Sequence, residues 1–167
     1  MAATCNFDEY NGAGSTQAAS ITNLNFGACD GPNIDIAIGS AWITAGSASY
    51  EKYIKAAFTG TFNYIGSLFF WASGAVMVAG ETITMYSGTV GPAYATPVAT
   101  TSAVALTNVV SGTSPPTWCN VHLKNSYAGS LTAVGSSNYI VLQTQTTTST
   151  PAGNTNSKTF KLQWTEA

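Results

Sequence analysis

From Lys158 to Trp164 the chain reads Lys-Thr-Phe-Lys-Leu-Gln-Trp, and Phe160, Leu162 and Trp164 alternate strictly with Thr159, Lys161 and Gln163. A period of two predicts a strand with one face on a core and the other in solvent. The run from Tyr139 to Gln145 does the same, with Ile140 and Leu142 opposite Tyr139 and Val141. A polar loop joins the two runs, so they read as a closing hairpin. Tyr50 to Phe58 divides into one face of Tyr50, Lys52, Ile54, Ala56 and Phe58 and another of Glu51, Tyr53, Lys55 and Ala57. Glu51 and Lys55 also form an i,i+4 pair that would suit a helix; the strand reading is preferred. Thr59-Gly60-Thr61 then looks like a hairpin turn into Phe62 to Ile65.

Shorter apolar pieces predict further strands at Ile21 to Phe26, Ile34 to Ile38, Ala41 to Thr44, Leu68 to Trp71, Ala75 to Val78, Thr82 to Tyr86, Trp118 to Leu123 and Ser130 to Val134. Glycines and prolines cut the stretch from Gly88 to Pro116 repeatedly, leaving Ala103 to Val110 as its one candidate element. Tyr64 to Ala79 approaches the length of a membrane span, but Ala72-Ser-Gly74 reads as a turn between two buried strands. Residues 1–19 are rich in Gly, Ala, Ser and Asn with Phe7 and Tyr10 as isolated aromatics, which predicts an extended arm, flexible or ordered by a partner. The expected fold is all-β: an antiparallel β-sandwich, immunoglobulin-like or jelly-roll, in one domain over residues 20–167 with the arm before it.

Composition sharpens this. Only 7% of the 167 residues are charged, the net charge is −2 and arginine is absent. About a quarter of the chain is Ser and Thr, which are poor helix formers. Five lysines without an arginine fork give little means of neutralising phosphates, so nucleic acid is not an expected partner. Weak surface charge also lowers repulsion between copies, which suits a protein that works packed against others. Cys5, Cys29 and Cys119 are an odd set, read as small apolar residues kept reduced, with a Cys5–Cys29 bridge as an alternative. Met1 to Ser20 has neither a basic start nor an apolar run, so no signal peptide is expected there.

Chemistry-bearing patterns are sparse. His122 is the one histidine, and no Gly-x-Ser-x-Gly elbow accompanies it. Seven acids leave few ways to build a pair of catalytic carboxylates. Asp30, Asn33 and Asp35 could offer oxygens to a cation but fall short of a calcium loop, and an Asp-Gly-Pro turn explains them better. Trp42, Tyr53, Tyr64, Trp71, Tyr86, Tyr94, Trp118, Tyr127 and Trp164 could line a sugar-binding face, although periodicity sends several into the core. The expectation is a protein that is not an enzyme, with no catalytic residue, cofactor or metal.

Three segments carry a resemblance. Ser49-Tyr-Glu-Lys-Tyr-Ile-Lys-Ala-Ala-Phe-Thr-Gly-Thr-Phe62, Tyr94-Ala-Thr-Pro-Val-Ala-Thr-Thr-Ser102 and the Gln143 to Lys158 loop resemble small virion proteins of tailed bacteriophages. The resemblance spans about Ile21 to the C-terminus, carries no catalytic signature and implies a structural role on the particle. The expected function is a capsid decoration, or cement, protein on the outer surface of the virion. Its expected partners are the major capsid protein and copies of itself, a trimer included, with no membrane. Phe7 and Tyr10 are the expected anchors of the capsid or neighbour contact. A carbohydrate-binding adhesion module of a tail or fibre, and a tail-tube or connector component, are the alternatives.

Overall fold

A computed structural model describes residues 2–73, 77–86, 93–100, 106–108, 110–111, 115, 119–153 and 156–167. Twelve strands follow in order: β1 Ala3–Asn11, β2 Thr16–Ile21, β3 Lys52–Gly60, β4 Ile65–Ser73, β5 Glu81–Tyr86, β6 Leu106–Asn108, β7 Val110–Ser111, β8 Asn120–Val121, β9 Ser130–Leu131, β10 Gly135–Ser136, β11 Ile140–Thr146 and β12 Thr159–Glu166. They form two sheets. One has the order β2-β1-β3-β11-β5-β6, with β10 also on β3. The other is built on β4, flanked by β12 and β7, with β8 and β9 also paired to β4. All pairings are antiparallel except β4 with β7.

The inner faces meet as a sandwich. Ile54, Ala56 and Phe58 of β3, Ile83 and Met85 of β5, and Ile140 and Leu142 of β11 face Ile65, Leu68 and Phe70 of β4. Aromatic pairs bridge the layers: Phe7 meets Phe70 edge-on at 5.6 Å, and Phe58 meets Trp164 at 5.5 Å. Phe160 stacks on Phe70 within the second sheet at 5.3 Å. Ser67 sits at φ 52° in the middle of β4, and the β12 register slips opposite it. This bulge resets the alternation, so Ile65 and Leu68, three residues apart, both point inward.

The all-β sandwich is as the alternation predicts, but several connections differ. β11 and β12 do not pair with each other: β11 lies between β3 and β5, while β12 pairs with β4 in the opposite layer. Likewise β3 and β4 belong to different sheets, so Thr59-Gly60-Thr61 carries the chain between layers instead of turning a hairpin. Alternation records which face of a strand is buried, not which neighbour it pairs with. β4 continues through Ala72 and Ser73, where a turn was expected. Residues 22–26, 34–38 and 42–44 are irregular, with one 3-10 turn at Gly39–Ala41. Residues 75 and 76 of the expected Ala75 to Val78 strand, and Trp118, lie outside the described residues.

The expected N-terminal arm is corrected outright. Residues 3–11 and 16–21 form a hairpin, and β1 pairs with β3 in unbroken register from Ala3↔Gly60 to Tyr10↔Tyr53. The reason is a buried charge network. Lys52 lies on the apolar face of β3, and its Nζ donates to Glu9 Oε1 at 2.7 Å and to the Gly31 carbonyl at 2.8 Å. Both side chains of this ion pair are fully enclosed. Asn33 N–H donates to the other Glu9 oxygen, and the Asn11 amide donates to the Glu51 carbonyl and to Asp30. A second, nearly buried pair joins Lys158, just before β12, to Glu81 of β5 at 2.8 Å and so ties the two layers together.

Candidate functional site

The outer face of the first sheet gathers its tyrosines. Tyr10 of β1 and Tyr53 of β3 are cross-strand partners, and Tyr139 immediately precedes β11. Tyr139 lies edge-on to both, at 5.4 Å from Tyr10 and 5.7 Å from Tyr53. Tyr94 completes the group at 5.0 Å from Tyr53 and 5.8 Å from Tyr139. It comes from the 93–100 segment, which the Gln143 amide holds by donating to the Val98 and Thr100 carbonyls. Glu51 adds an acceptor for Val98 N–H, and the Tyr94 hydroxyl donates to the Gly12 carbonyl.

Beside Tyr94 and Tyr139 lies an open groove of about 430 Å³, lined also by Lys55, Lys124, Asn125 and Asn138. Lys55 Nζ sits 4.2 Å from the Tyr139 ring centroid and 5.3 Å from that of Tyr10, a cation–π arrangement. Lys124 and Asn125 are the two central residues of a tight turn closed by reciprocal Leu123 and Ser126 backbone bonds. Both have positive φ, 49° and 62°. Two such residues make a type I′ turn, which ordinarily uses Asn-Gly, so a lysine here is held against its preference. Asn138 holds it: its Oδ1 accepts from Asn125 N–H, and its amide donates to Asn125 Oδ1. Gly129 supports the turn from behind, since a Cβ there would lie 1.8 Å from the Leu123 carbonyl oxygen.

Electrostatics keep the tyrosines of this face phenolic. Burial raises the Tyr53 hydroxyl to about 12, with the Glu51 carboxylate adding to the shift. Burial and the Asp30 charge raise Tyr94, and burial and Asp8 raise Tyr10. No carboxylate lines the groove, and neither Lys55 nor Lys124 pairs with an acid among the described residues.

A second surface feature lies on the irregular loop between β2 and β3. Ile36, Ile38 and Trp42 are 48%, 55% and 66% exposed. Their loop is fixed, not loose: Trp42 Nε1 donates to the Ile36 carbonyl at 3.0 Å, while Ile34 and Ala41 are buried beneath. Gly27 permits this docking, because a Cβ there would come within 2.4 Å of Ile34 Cδ1 and 2.8 Å of the Ala41 oxygen.

The expected anchors separate. Phe7 is partly buried and packs on the core against Phe70, whereas Tyr10 lies on the opposite face of β1. Of the aromatics considered for a sugar face, Tyr53 and Tyr94 join the groove cluster, whereas Trp71 and Trp164 pack in the core. Tyr127 stacks on His122 at 3.7 Å, and His122 itself is buried. The Tyr86 side chain and Trp118 lie outside the described residues. Asp30 accepts from Asn11 and Gly12 at the β1–β2 turn, and Asp35 accepts from Ala37 N–H in its own loop, so both are engaged in local structure. Among the described residues no group of three or more His, Cys, Asp or Glu side chains is placed to hold a metal ion. No described helix is long and apolar enough to cross a membrane. All three cysteines are free thiols.

The fold and its surface define an all-β sandwich with an aromatic groove and a separate apolar loop. Family models, curated proteins and solved structures yield no match to the chain.

Proposed function

We propose that the chain is a non-enzymatic structural protein of a tailed-bacteriophage particle, a decoration protein on the outer surface of the capsid. The observation that carries this reading is the pairing of an exposed apolar loop with a surface nearly free of charge. Of the seven acids and five lysines, Asp35, Lys124 and Lys161 are exposed and the rest are buried or half-buried. Glu9, Glu51, Glu81 and Lys52 are buried. Copies of such a molecule pack closely without strong mutual repulsion. Ile36, Ile38 and Trp42 supply the apolar contact, since rigid exposed apolar patches mark interaction surfaces. In this reading the loop takes the part expected of the N-terminal arm and contacts the shell or a neighbouring copy. Repetition over a closed lattice then multiplies a modest single contact.

The test is binding of the purified chain to purified heads of the phage that encodes it. Ile38→Asp with Trp42→Ser is expected to abolish cosedimentation while leaving the thermal melt unchanged. Undiminished binding by the double variant would overturn the assignment of the contact, and failure of the wild-type chain to bind heads would overturn the decoration role.

A further inference from the structure

We propose that the tyrosine–lysine groove binds an acidic saccharide, with Tyr94 taking the sugar face and Lys55 and Lys124 its carboxylate. Each part of the site matches one property of that ligand. Sugar rings present apolar C–H faces that pack on aromatic rings, and hydroxyls that exchange hydrogen bonds with amides. The groove offers both, since Asn125 and Asn138 line it together with Tyr94 and Tyr139. Two lysines converge on it in a chain that has only five, while Lys52 and Lys158 are consumed in ion pairs. No acid lines the groove itself; the nearest on this face is Asp8, the cross-strand partner of Lys55.

The shape favours a sugar over a nucleobase. The Tyr94 and Tyr139 planes are inclined at 53° and Tyr53 and Tyr139 at 79°, so no two of these rings form a parallel slot for a flat base. Two lysines without arginine also give a single anionic group more support than a phosphate chain. The site is preorganised: Asn138 clamps the Lys124-Asn125 turn, and hydrogen bonds at both ends fix the Tyr94 segment. Little ordering is therefore left for the ligand to impose. This proposal is independent of where on a particle the protein sits.

The experiment is isothermal titration calorimetry of the full chain with three probes: trigalacturonate, neutral maltotriose and oligothymidylate. Trigalacturonate is expected to bind, more weakly at high salt, and to bind at least tenfold tighter than either other probe. Lys124→Gln and Lys55→Gln are each expected to weaken it about tenfold, the loss of one charge-assisted hydrogen bond. Lys124 is exposed, so its variant keeps the wild-type melt. Lys161→Gln, on the opposite sheet, is expected to leave binding unchanged. Absence of trigalacturonate binding, equal binding of maltotriose, preference for oligothymidylate, or insensitivity to Lys124→Gln would each overturn the proposal.

Discussion

Lys52 and Glu9 are each fully enclosed, so neither tolerates the loss of the other. Removing one partner strands a charge in the sandwich: Lys52→Met or Glu9→Gln is expected to cost about 3–5 kcal/mol in urea unfolding. The double variant Glu9→Leu with Lys52→Met is expected to regain most of it, because no unpaired charge remains. The thiols set a limit of another kind. Burial lifts Cys5 from 9.0 to about 12, with Asp8 adding to the shift, and burial lifts Cys119 from 9.0 to about 11. Folding holds these groups, and Tyr53, in their protonated forms. The unfolded chain therefore loses these protons first, and stability that is fully present below pH 9.0 falls as the pH climbs toward the folded values. Urea midpoints are expected to be lower at pH ~10 than at pH ~7, and alanine at Cys5 and Cys119 is expected to reduce the difference. A midpoint independent of pH over this range would contradict the burial of these groups.

The β1–β2 hairpin is part of the sheet that it was expected merely to precede. Deleting residues 2–21 removes Phe7 from Phe70 and Glu9 from Lys52, so the truncated chain is expected to lose its cooperative thermal transition; a sharp melt near that of the full chain would refute this. Gly129→Ala, which drives a Cβ into the Leu123 oxygen, is expected to destabilise by about 2 kcal/mol or more. These two elements also mark how far the chain could be read. β12 was legible because half-buried Phe160, Leu162 and Trp164 alternate with exposed residues in the structure as they do in the sequence, and β3 because Ile54, Ala56 and Phe58 recur at period two on its core face. β1 was not, because Asp8 and Glu9 interrupt its apolar alternation. Its trace lay instead in Lys52, on an apolar face that demanded a counter-charge. The groove was half legible. Tyr53 and Tyr94 stood out as aromatics, but Tyr10 was read as an anchor on the assumed arm and the Lys124-Asn125 turn lacks the glycine that would have announced it.

Across the entire molecule, polarity is divided in an unusual way. Charge is drawn inward to Glu9, Lys52, Glu51 and Glu81, whereas Ile36, Ile38 and Trp42 stand outside. This arrangement favours dense packing, and it gives a concentration-dependent expectation. Sedimentation of the wild-type chain should show association that weakens when Ile36 and Ile38 become Asp; association unchanged by both substitutions would place the self-contact elsewhere. Gold-labelled antibody against the chain, applied to intact phage particles that contain it, separates the decoration role we propose from its rivals. Regular label over the outer surface of the heads is expected. Label confined to the tail or its fibres, or particles without label, would contradict the assignment to the capsid exterior.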